Sequence, residues 1–344
     1  MPKTPLVYIV ILNWNGWKDT LECLESLFQI KYSNFEVIVI DNHSQDESIQ
    51  KIWDYCNGRL DVQSQFFKYQ LNNKPIEILE VTNHESINMK KSLREHELVK
   101  IDSKRLILIK NDDNYGFAEG TNIGIRFALK NLESSYILLL NNDTVVDSEF
   151  LDEMIKTAES DKQIGFVGSK TYFYNKINTL QAAGGGNIDF KLAESPEMGF
   201  NQEDDGRYNQ LLELDYVGGA CLLAKTNVID EIGVLDTNYY MYWEDVDWCF
   251  SGREAGYKSV YAFKSKIWHK YGTSSKGYFK TYYHNRNRLY FMRKHANKKV
   301  YHSFLYHYLK ELLIESAYQL LYCRDWLMFK SLFRGTIEGF RIKI

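Results

Sequence analysis

The sequence predicts an α/β protein, built on a mostly parallel central sheet flanked by helices and ending in a helical C-terminal extension. Three observations predict it. Continuous β-prone apolar runs, such as residues 6–12, 35–40, 105–110 and 136–140, mark strands covered on both faces. Amphipathic stretches follow several of them at helical period. Asn, Asp and Gly collect where the runs stop, and open parallel sheets bind ligands at those carboxyl ends.

The first run, 6–12, ends in Asn13-Trp14-Asn15-Gly16, and a helix is expected over 18–28 with Leu21, Leu24, Leu27 and Phe28 on its buried side. The second run, 35–40, ends at Asp41-Asn42-His43-Ser44. Strand, helix, strand is a βαβ unit, so Asn13 and Asp41 are the first candidates for ligand contacts. Residues 55–104 are polar, with one short strand expected at 76–81, and read as an insertion or surface lobe.

Regularity returns with the strand 105–110 and a helix over 118–129, where Gly120 and Gly124 allow close backbone packing or the approach of a phosphate. No GxGxxG follows a strand, so the dinucleotide fingerprint is absent. The strand 136–140 stops at Asn141-Asn142-Asp143-Thr144. A carboxylate and amides there suit an oxygen-ligated Mg²⁺ or Mn²⁺ shared with a diphosphate, or else a turn or helix cap.

A helix over 147–158 and a strand over 164–169 come next. Residues 181–189, with three consecutive glycines, read as a flexible loop, and 194–208 as a polar surface lid or loop. The buried run 216–224 contains Gly218 and Gly219, which suggests a ligand or another backbone passing close by.

Residues 238–250 set Glu244, Asp245 and Asp247 among aromatic side chains. Ionised carboxylates among rings are costly unless compensated, so the stretch marks chemistry or a strong structural pair. Helical spacing from Asp247 to a stop at Gly256 puts Glu244 and Asp245 at a helix N-terminus, where free N–H groups favour an ionised acid. Either they hold a catalytic base there or they cap the helix. A strand over 259–263 follows, and His269 comes shortly after it, as a structural histidine or a ligand.

Residues 271–344 contain 14 Lys/Arg against 4 Asp/Glu, leaving 28 against 41 in residues 1–270. The tail is basic and the body acidic, so the tail meets phosphates or an anionic membrane surface, or docks on the body. Its helical repeat of Tyr301, Phe304, Leu305, Tyr308 and Leu312, then Trp326, Leu327, Phe329 and Phe333 among basic residues, describes an amphipathic helix in the headgroup region or a helical pair packed on protein. A net basic balance that lies in an aromatic helical tail, with an acidic sheet region, argues against nucleic acid. Five widely spaced cysteines without a CxxC pair fit a reduced setting. With no signal-like start and no 18-residue apolar run, the expected location is cytoplasmic, peripheral on the inner face of the membrane if the tail binds lipid.

Taken in order, residues 10–15, 39–42, 114–122, 140–144, 219–221, 244–247 and His269 resemble the inverting glycosyltransferases of family 2. The resemblance covers about residues 5–272 apart from 55–104. It is nearest to a rhamnosyltransferase-like branch, which also tends to have a segment like 282–288 here. The resemblance implies the GT-A fold with a Rossmann-like nucleotide-binding half. The implied organisation is a catalytic domain over 1–272 (nucleotide-binding half 1–143, acceptor half 144–272) and a basic amphipathic helical region over 273–344.

The same likeness implies site roles. Asp245 would be the catalytic base, and Asn13, Asp41, Asn122 and Asn142 would hold the nucleotide. Arg286 and Arg288 would meet the diphosphate, and Tyr242, Trp243 and Glu244 the acceptor. Asp143 would be the surviving acid of the metal motif and His269 a further ligand, with Asn141 where the motif's first acid belongs. The implied partners are Mg²⁺ or Mn²⁺, a dTDP- or UDP-linked sugar, a glycan or lipid-linked acceptor, a membrane surface along 301–344 and a second copy as a homodimer. Rival readings are a nucleotidyltransferase, which would want a Gly-rich basic loop after the first strand, and a non-catalytic carbohydrate-binding or scaffold protein.

Overall fold

The computed structural model describes residues 4–88, 105–131, 134–272 and 277–344. The expected mostly parallel sheet is its centre. β1 (Val7–Asn13), β2 (Phe35–Asp41), β4 (Arg105–Lys110) and β5 (Tyr136–Leu140) lie side by side and parallel, with β3 (Glu77–Thr82) parallel at the edge. The central strands are almost wholly buried, as continuous Val/Ile/Leu runs demand. Antiparallel strands extend the other side. β13 (Cys221–Lys225) joins β5 to β7 (Ile164–Phe173), and β8 (Lys176–Ala183) and the short β10 (Gln202–Glu203) follow. β14 (Lys258–His269) runs parallel to β7 and also pairs with β6 (Thr144–Val146) and β11 (Leu212–Leu214). β9 (Gly185–Gly186) and β12 (Tyr216–Val217) form a separate small ladder.

Helices cover the sheet. α1 (Trp17–Leu27), α2 (Ser48–Cys56), α3 (Asn83–Asn88), α4 (Gly116–Asn131), α5 (Phe150–Ser160) and α6 (Thr226–Ile232) are followed by α7 (Glu244–Glu254). Gly120 and Gly124 let α4 sit directly on the sheet. A Cβ at Gly120 would lie 2.8 Å from Leu12 Cδ1, and one at Gly124 2.7 Å from Ile40 Cδ1. Those glycines serve packing.

Two expectations are corrected. Residues 181–189 are largely strand, because β8 pairs with β7 and the Gly185–Gly186 segment pairs with β12. The stretch 55–104 is partly integral to the fold, since β3 completes the parallel edge and Lys74 forms a buried ion pair with Glu25 (2.8 Å). Residues 89–104 of that stretch lie outside the described residues.

The C-terminal region is helical: α8 (Gly277–His295), α9 (Lys298–Ala317), a wide turn over 318–323 and α10 (Trp326–Arg341). Its first helix is wedged against the segment leading into α7. Asp247 joins Lys294 (2.9 Å), His295 Nε2 (2.8 Å) and the Tyr239 hydroxyl (2.9 Å).

Candidate active site

The carboxyl ends of the strands assemble one polar surface. Asn13 and Asp41 face each other in register at the ends of β1 and β2. Asn13 Nδ2 donates to Asp41 Oδ1 (2.8 Å) and Ser44 Oγ (3.1 Å), while Asn13 Oδ1 accepts from Thr20 Oγ1 (2.8 Å). Asn13 is fully buried with its amide committed to protein, so its place is to orient Asp41. Asn142, half-buried, reaches the same Thr20 hydroxyl (3.0 Å). Asn13, Asp41 and Asn142 are therefore brought together, as the sequence reading grouped them.

Asn122 is not among them. It is fully buried, its Nδ2 donates to the Leu235 carbonyl (2.8 Å) and its Oδ1 accepts the Leu235 N–H (3.0 Å). Both ends of the amide pin α4 to the segment before α7, which corrects its expected nucleotide role. The buried Asn42 organises the next loop, donating to Asn114 Oδ1 (2.9 Å) and the Gly116 carbonyl (3.1 Å) and accepting from Asn111 Nδ2 (3.0 Å).

Asp143 and His269 meet although 126 positions separate them in the chain. Pairing of β6 with β14 sets His269 opposite Thr144, and His269 Nε2 lies 3.0 Å from Asp143 Oδ1. His269 Nδ1 is 2.9 Å from Gln181 Oε1. Nε2 and the carboxylate oxygen stand close enough together to serve as two ligands of one metal ion. The donor set fits Mg²⁺ or Mn²⁺, which keep few protein ligands and take the rest from phosphate and water, and Gln181 supplies the outer hydrogen bond that orients a ligating imidazole. Among the described residues no group of three or more His, Cys, Asp or Glu side chains is arranged to hold a metal by itself.

Across from these ends lies the carboxylate cluster. Asp245 stands in the first turn of α7. Its Oδ2 accepts the Gly219 N–H (2.7 Å) and its Oδ1 the Val246 N–H (2.8 Å). Next along, the Ala220 carbonyl accepts the Asn141 N–H (3.0 Å), which ties this corner to the end of β5 and so to Asp143. Burial pushes the Asp245 carboxyl up, and the Gly219 and Val246 N–H groups pull it back. Glu244 is pushed well up by burial and then by the Asp245 charge, and its Oε2 is buried without a partner. Glu197 is pushed up to about 8 by burial and by Asp245. Asp245 has two backbone donors in the first turn of a helix of eleven residues, so of the three its negative charge is the best held.

The approach to this helix is unusual backbone. Tyr240, Tyr242 and Trp243 all have positive φ (61°, 67° and 74°), which is strained for bulky residues. Asn287 on α8 holds the segment from behind, with Nδ2 facing the carbonyls of Tyr239 (2.9 Å), Met241 (2.8 Å) and Tyr242 (2.7 Å). From in front, the Tyr240 carbonyl accepts the Phe117 and Ala118 N–H groups at the start of α4 (2.8 and 3.0 Å). The segment thus joins both halves of the sheet to the C-terminal helices.

Two expected contacts are corrected. Trp243 is buried and packs on Phe291 (ring centroids 5.0 Å apart) and His284, so it is core and not an acceptor platform. Arg288, also buried, pairs with Glu311 (2.7 Å) over the Tyr308 ring and belongs to the C-terminal helical layer. Arg286 stays beside the segment leading into α7, donating to Asn287 Oδ1 (2.6 Å). Tyr242 remains half-buried at the cluster. Sequence reasoning missed Glu197, Gln181 and Asn287. Only Asn287 had a visible signal, its place between two arginines in the 282–288 segment.

Comparison with known proteins adds to this geometry. A family model described as glycosyltransferase-like family 2 matches residues 89–291, and one described as glycosyl transferase family 2 matches residues 8–75. The chain is 22% identical over 222 residues to the low-salt glycan biosynthesis hexosyltransferase Agl10 of Haloferax volcanii, covering 63% of this chain and 61% of that protein, so it spans less than two thirds of that relative's length. Among solved structures, it is similar to a mannosyltransferase from Pyrobaculum calidifontis in complex with GDP-Man and Mn²⁺, with a TM-score of 0.54 and 12% identity, covering 98% of this chain and 88% of that one. It is also similar to GalNAc-T7 with UDP, GalNAc and Mn²⁺, with a TM-score of 0.53 and 13% identity, covering 92% of this chain and 58% of that one. At such identities the structural likeness shows the fold, which is GT-A as the sequence implied.

Proposed function

The chain belongs to glycosyltransferase family 2, and on that premise we propose that it transfers a hexose, L-rhamnose being the branch-based choice, from a nucleoside-diphosphate donor to a hydroxyl of a glycan or lipid-linked saccharide in cell-surface polysaccharide synthesis, with inversion. The observation that carries the reading is Asp245, a carboxylate held by two backbone N–H groups at a helix start, beside the strand end that bears Asp143 and His269.

In this reading the nucleotide rests on Asp41, oriented by Asn13, with Asn142 beside it. Asp143 and His269 would hold the Mg²⁺ or Mn²⁺, which would supply positive charge against the leaving diphosphate. Arg286 stands near enough to the catalytic segment to add a second cation. Asp245 takes the proton of the acceptor hydroxyl while that oxygen attacks the anomeric carbon from the face opposite the diphosphate. One displacement then inverts the centre. Tyr242 and Glu244 flank the acceptor. The donors bound by the two structural relatives support a nucleotide sugar in general, with dTDP or UDP as the proposed carrier.

The C-terminal helices add a proposed location. No helix of the described residues is long and apolar enough to cross a membrane. The tip formed by the end of α9, the wide turn and the start of α10 nevertheless exposes Leu313, Leu321, Tyr322 and Trp326, and a peripheral contact with lipid there would bring the site to a lipid-linked acceptor. A homodimer through the same tip is the competing arrangement.

Thermal-shift measurements with dTDP, UDP, GDP and ADP, each with and without Mn²⁺, test the donor half. A metal-dependent rise with one pyrimidine diphosphate is expected. Asp245→Asn should keep that rise and lower kcat by at least about a hundredfold. A folded mutant that loses nucleotide binding together with activity would refute the base role.

A further inference from the structure

Three aromatic rings gather on the surface beside His269. Pairing of β7 with β14 sets Phe173 in parallel register with His269, and the Tyr174 N–H donates to the His269 carbonyl (3.0 Å). Tyr271 follows two residues after His269, and its ring centroid is 6.5 Å from the imidazole. Phe200 joins them from the stretch 194–208, expected to be a surface lid. The rings meet edge to face, with centroids 5.6 Å apart for Phe173 and Phe200 and 5.8 Å apart for each of these with Tyr271. The backbone holds Phe200 in place. It stands between Gly199 and Asn201, both left-handed (φ 76° and 57°). Its N–H donates to the Glu197 carbonyl (3.3 Å), the Asn201 N–H to the Leu180 carbonyl (2.9 Å) and the Gln202 N–H to the Gly199 carbonyl (3.0 Å).

This anchored turn presents its phenyl ring to solvent. Phe200 is 45% exposed and Tyr271 47%. Exposed lysines border the group, with Lys176 Nζ 6.0 Å from the Phe173 ring centroid and Lys280 Nζ 5.9 Å from that of Tyr271. A contiguous group of exposed rings marks a contact, and its size and rim decide the kind of occupant. With about half of each ring exposed at most, the three offer on the order of 300 Å², against about 800 Å² per partner in a standard protein interface. Two ammonium groups at the edge oppose burial under lipid tails or an apolar protein face, because each would lose its water. A pyranose ring suits the same surface. Its C–H face lies on the negative faces of aromatic rings, and its hydroxyls stay at the wet rim, where ammonium groups donate to them.

We propose that Phe173, Phe200 and Tyr271 form an acceptor subsite, where the saccharide ring next to the reacting one lies on Phe200 and Tyr271 with its hydroxyls toward Lys176 and Lys280. The inference rests on the transferase reading and deepens it, since the acceptor is then an oligosaccharide of at least two residues. Position favours the acceptor over the donor sugar. All three rings come from residues 144–272, the half expected to take the acceptor, and Phe173 and Tyr271 flank His269, so a glycan lying on them leads to the strand end that bears Asp143. No bond forms or breaks at these rings. They supply affinity and fix which residue of the glycan reaches Asp245.

The test uses the full-length protein and its Phe200→Ala and Phe200→Trp variants on an array of monosaccharides and oligosaccharides, without nucleotide. The wild type should retain an oligosaccharide more strongly than the monosaccharide that matches its terminal residue. Phe200→Ala should weaken that retention roughly tenfold and bring the two ligands level, while Phe200→Trp, which restores a ring, should keep the preference. Melting temperatures, and their rise with dTDP or UDP and Mn²⁺, should be alike in all three, because an exposed ring carries little of the fold. Equal loss in the Ala and Trp variants, or a wild type that takes up nucleotide and retains no saccharide, would overturn the subsite. A donor role is separated by comparing UDP-glucose with UDP. If Phe200→Ala keeps glycan retention and loses the extra melting shift of UDP-glucose, the rings serve the donor sugar and the acceptor assignment fails. It fails equally if Phe200→Ala instead dissolves a dimer seen by light scattering or releases the protein from vesicles containing phosphatidylglycerol, with glycan retention unchanged. Absence of any nucleotide shift in the wild type would sink the transferase reading separately, leaving the array comparison to decide the subsite.

Discussion

Asn287 shows what one side chain can be asked to hold. Its amide has two hydrogens and faces three carbonyls, those of Tyr239, Met241 and Tyr242, around three residues at positive φ. Left-handed backbone at a bulky residue costs on the order of 1–2 kcal/mol each, so the segment keeps its shape only while its surroundings over-determine it. The helix α7 begins immediately after that strained run, and the direction of Asp245 in its first turn depends on it. Replacing the amide by an apolar group of similar size, Asn287→Leu, leaves those carbonyls without the donor. We expect a loss of about 2–4 kcal/mol in urea denaturation and at least a tenfold fall in kcat, with nucleotide binding retained. A variant that melts and turns over like the wild type would show the clamp to be idle. Asn287 also marks a limit of reading from sequence. The arginines on either side attract attention as charge for a diphosphate, whereas an amide between them has no signature until the carbonyls it meets are known. Asp143 and Asp245 were legible because acids at strand ends and helix starts have a physical reason to be there. Trp243 and Arg288 misled because an aromatic ring or a guanidinium looks the same in sequence whether it faces a ligand or Phe291 and Glu311.

Whole elements were most legible where one surface dictates them. β1, β2, β4 and β5 are buried on both faces, and such strands must be apolar throughout, so they could be found from composition alone. β8 and β9 could not. The glycines at 184–186, just past the end of β8 and through β9, read as slack chain, whereas β8 pairs with β7 and β9 with β12. The last helix was legible in kind but not in partner. Its pattern of aromatic and basic residues suggests a surface helix, yet Gly335 and Gly339, four apart on one face, let α10 close on α8. A Cβ would stand 2.4 Å from the Tyr282 carbonyl oxygen at the first and 2.6 Å from that of Arg286 at the second. Neither oxygen can yield, because both belong to helix backbone. Gly339→Ala should therefore cost about 1–3 kcal/mol despite the better helix propensity of alanine, and should lower kcat, since α8 carries the Asn287 clamp. Thermal melting with steady-state assays on Gly339→Ala, and on an exposed helical control such as Ser303→Ala in α9, separates packing from propensity. A stabilised Gly339→Ala would refute the close contact.

At the scale of the molecule, the acidic body and the basic tail act in different places. The body sets Asp41, Asp143 and Asp245 at the strand ends and α7, while α8 and α10 bury one face on each other and leave the tip around residues 313–327 uncovered. Leu313, Leu321, Tyr322 and Trp326 are 72%, 80%, 79% and 54% exposed there, far beyond the scattered apolar residues a surface tolerates. Burying four such side chains in a headgroup region would yield roughly 4–8 kcal/mol at about 1–2 kcal/mol each, enough for reversible attachment and too little for permanent anchoring. Basic residues of the tail, Arg324 and Lys330 among them, should add to the attraction on anionic lipid in a manner that salt weakens. The expected outcome is co-sedimentation with vesicles containing phosphatidylglycerol, weaker on neutral vesicles and in 0.5 M salt, on the order of three times physiological ionic strength. Replacing the four residues by Ser should abolish it and leave the nucleotide-induced melting shift intact, because among the described residues the turn over 318–323 packs on α9 and α10. If instead the wild type ignores vesicles and light scattering finds a dimer that the same replacements dissociate, the tip is an interface between two copies. The acceptor then reaches Asp245 from solution, and a membrane-bound acceptor has no structural support in this chain.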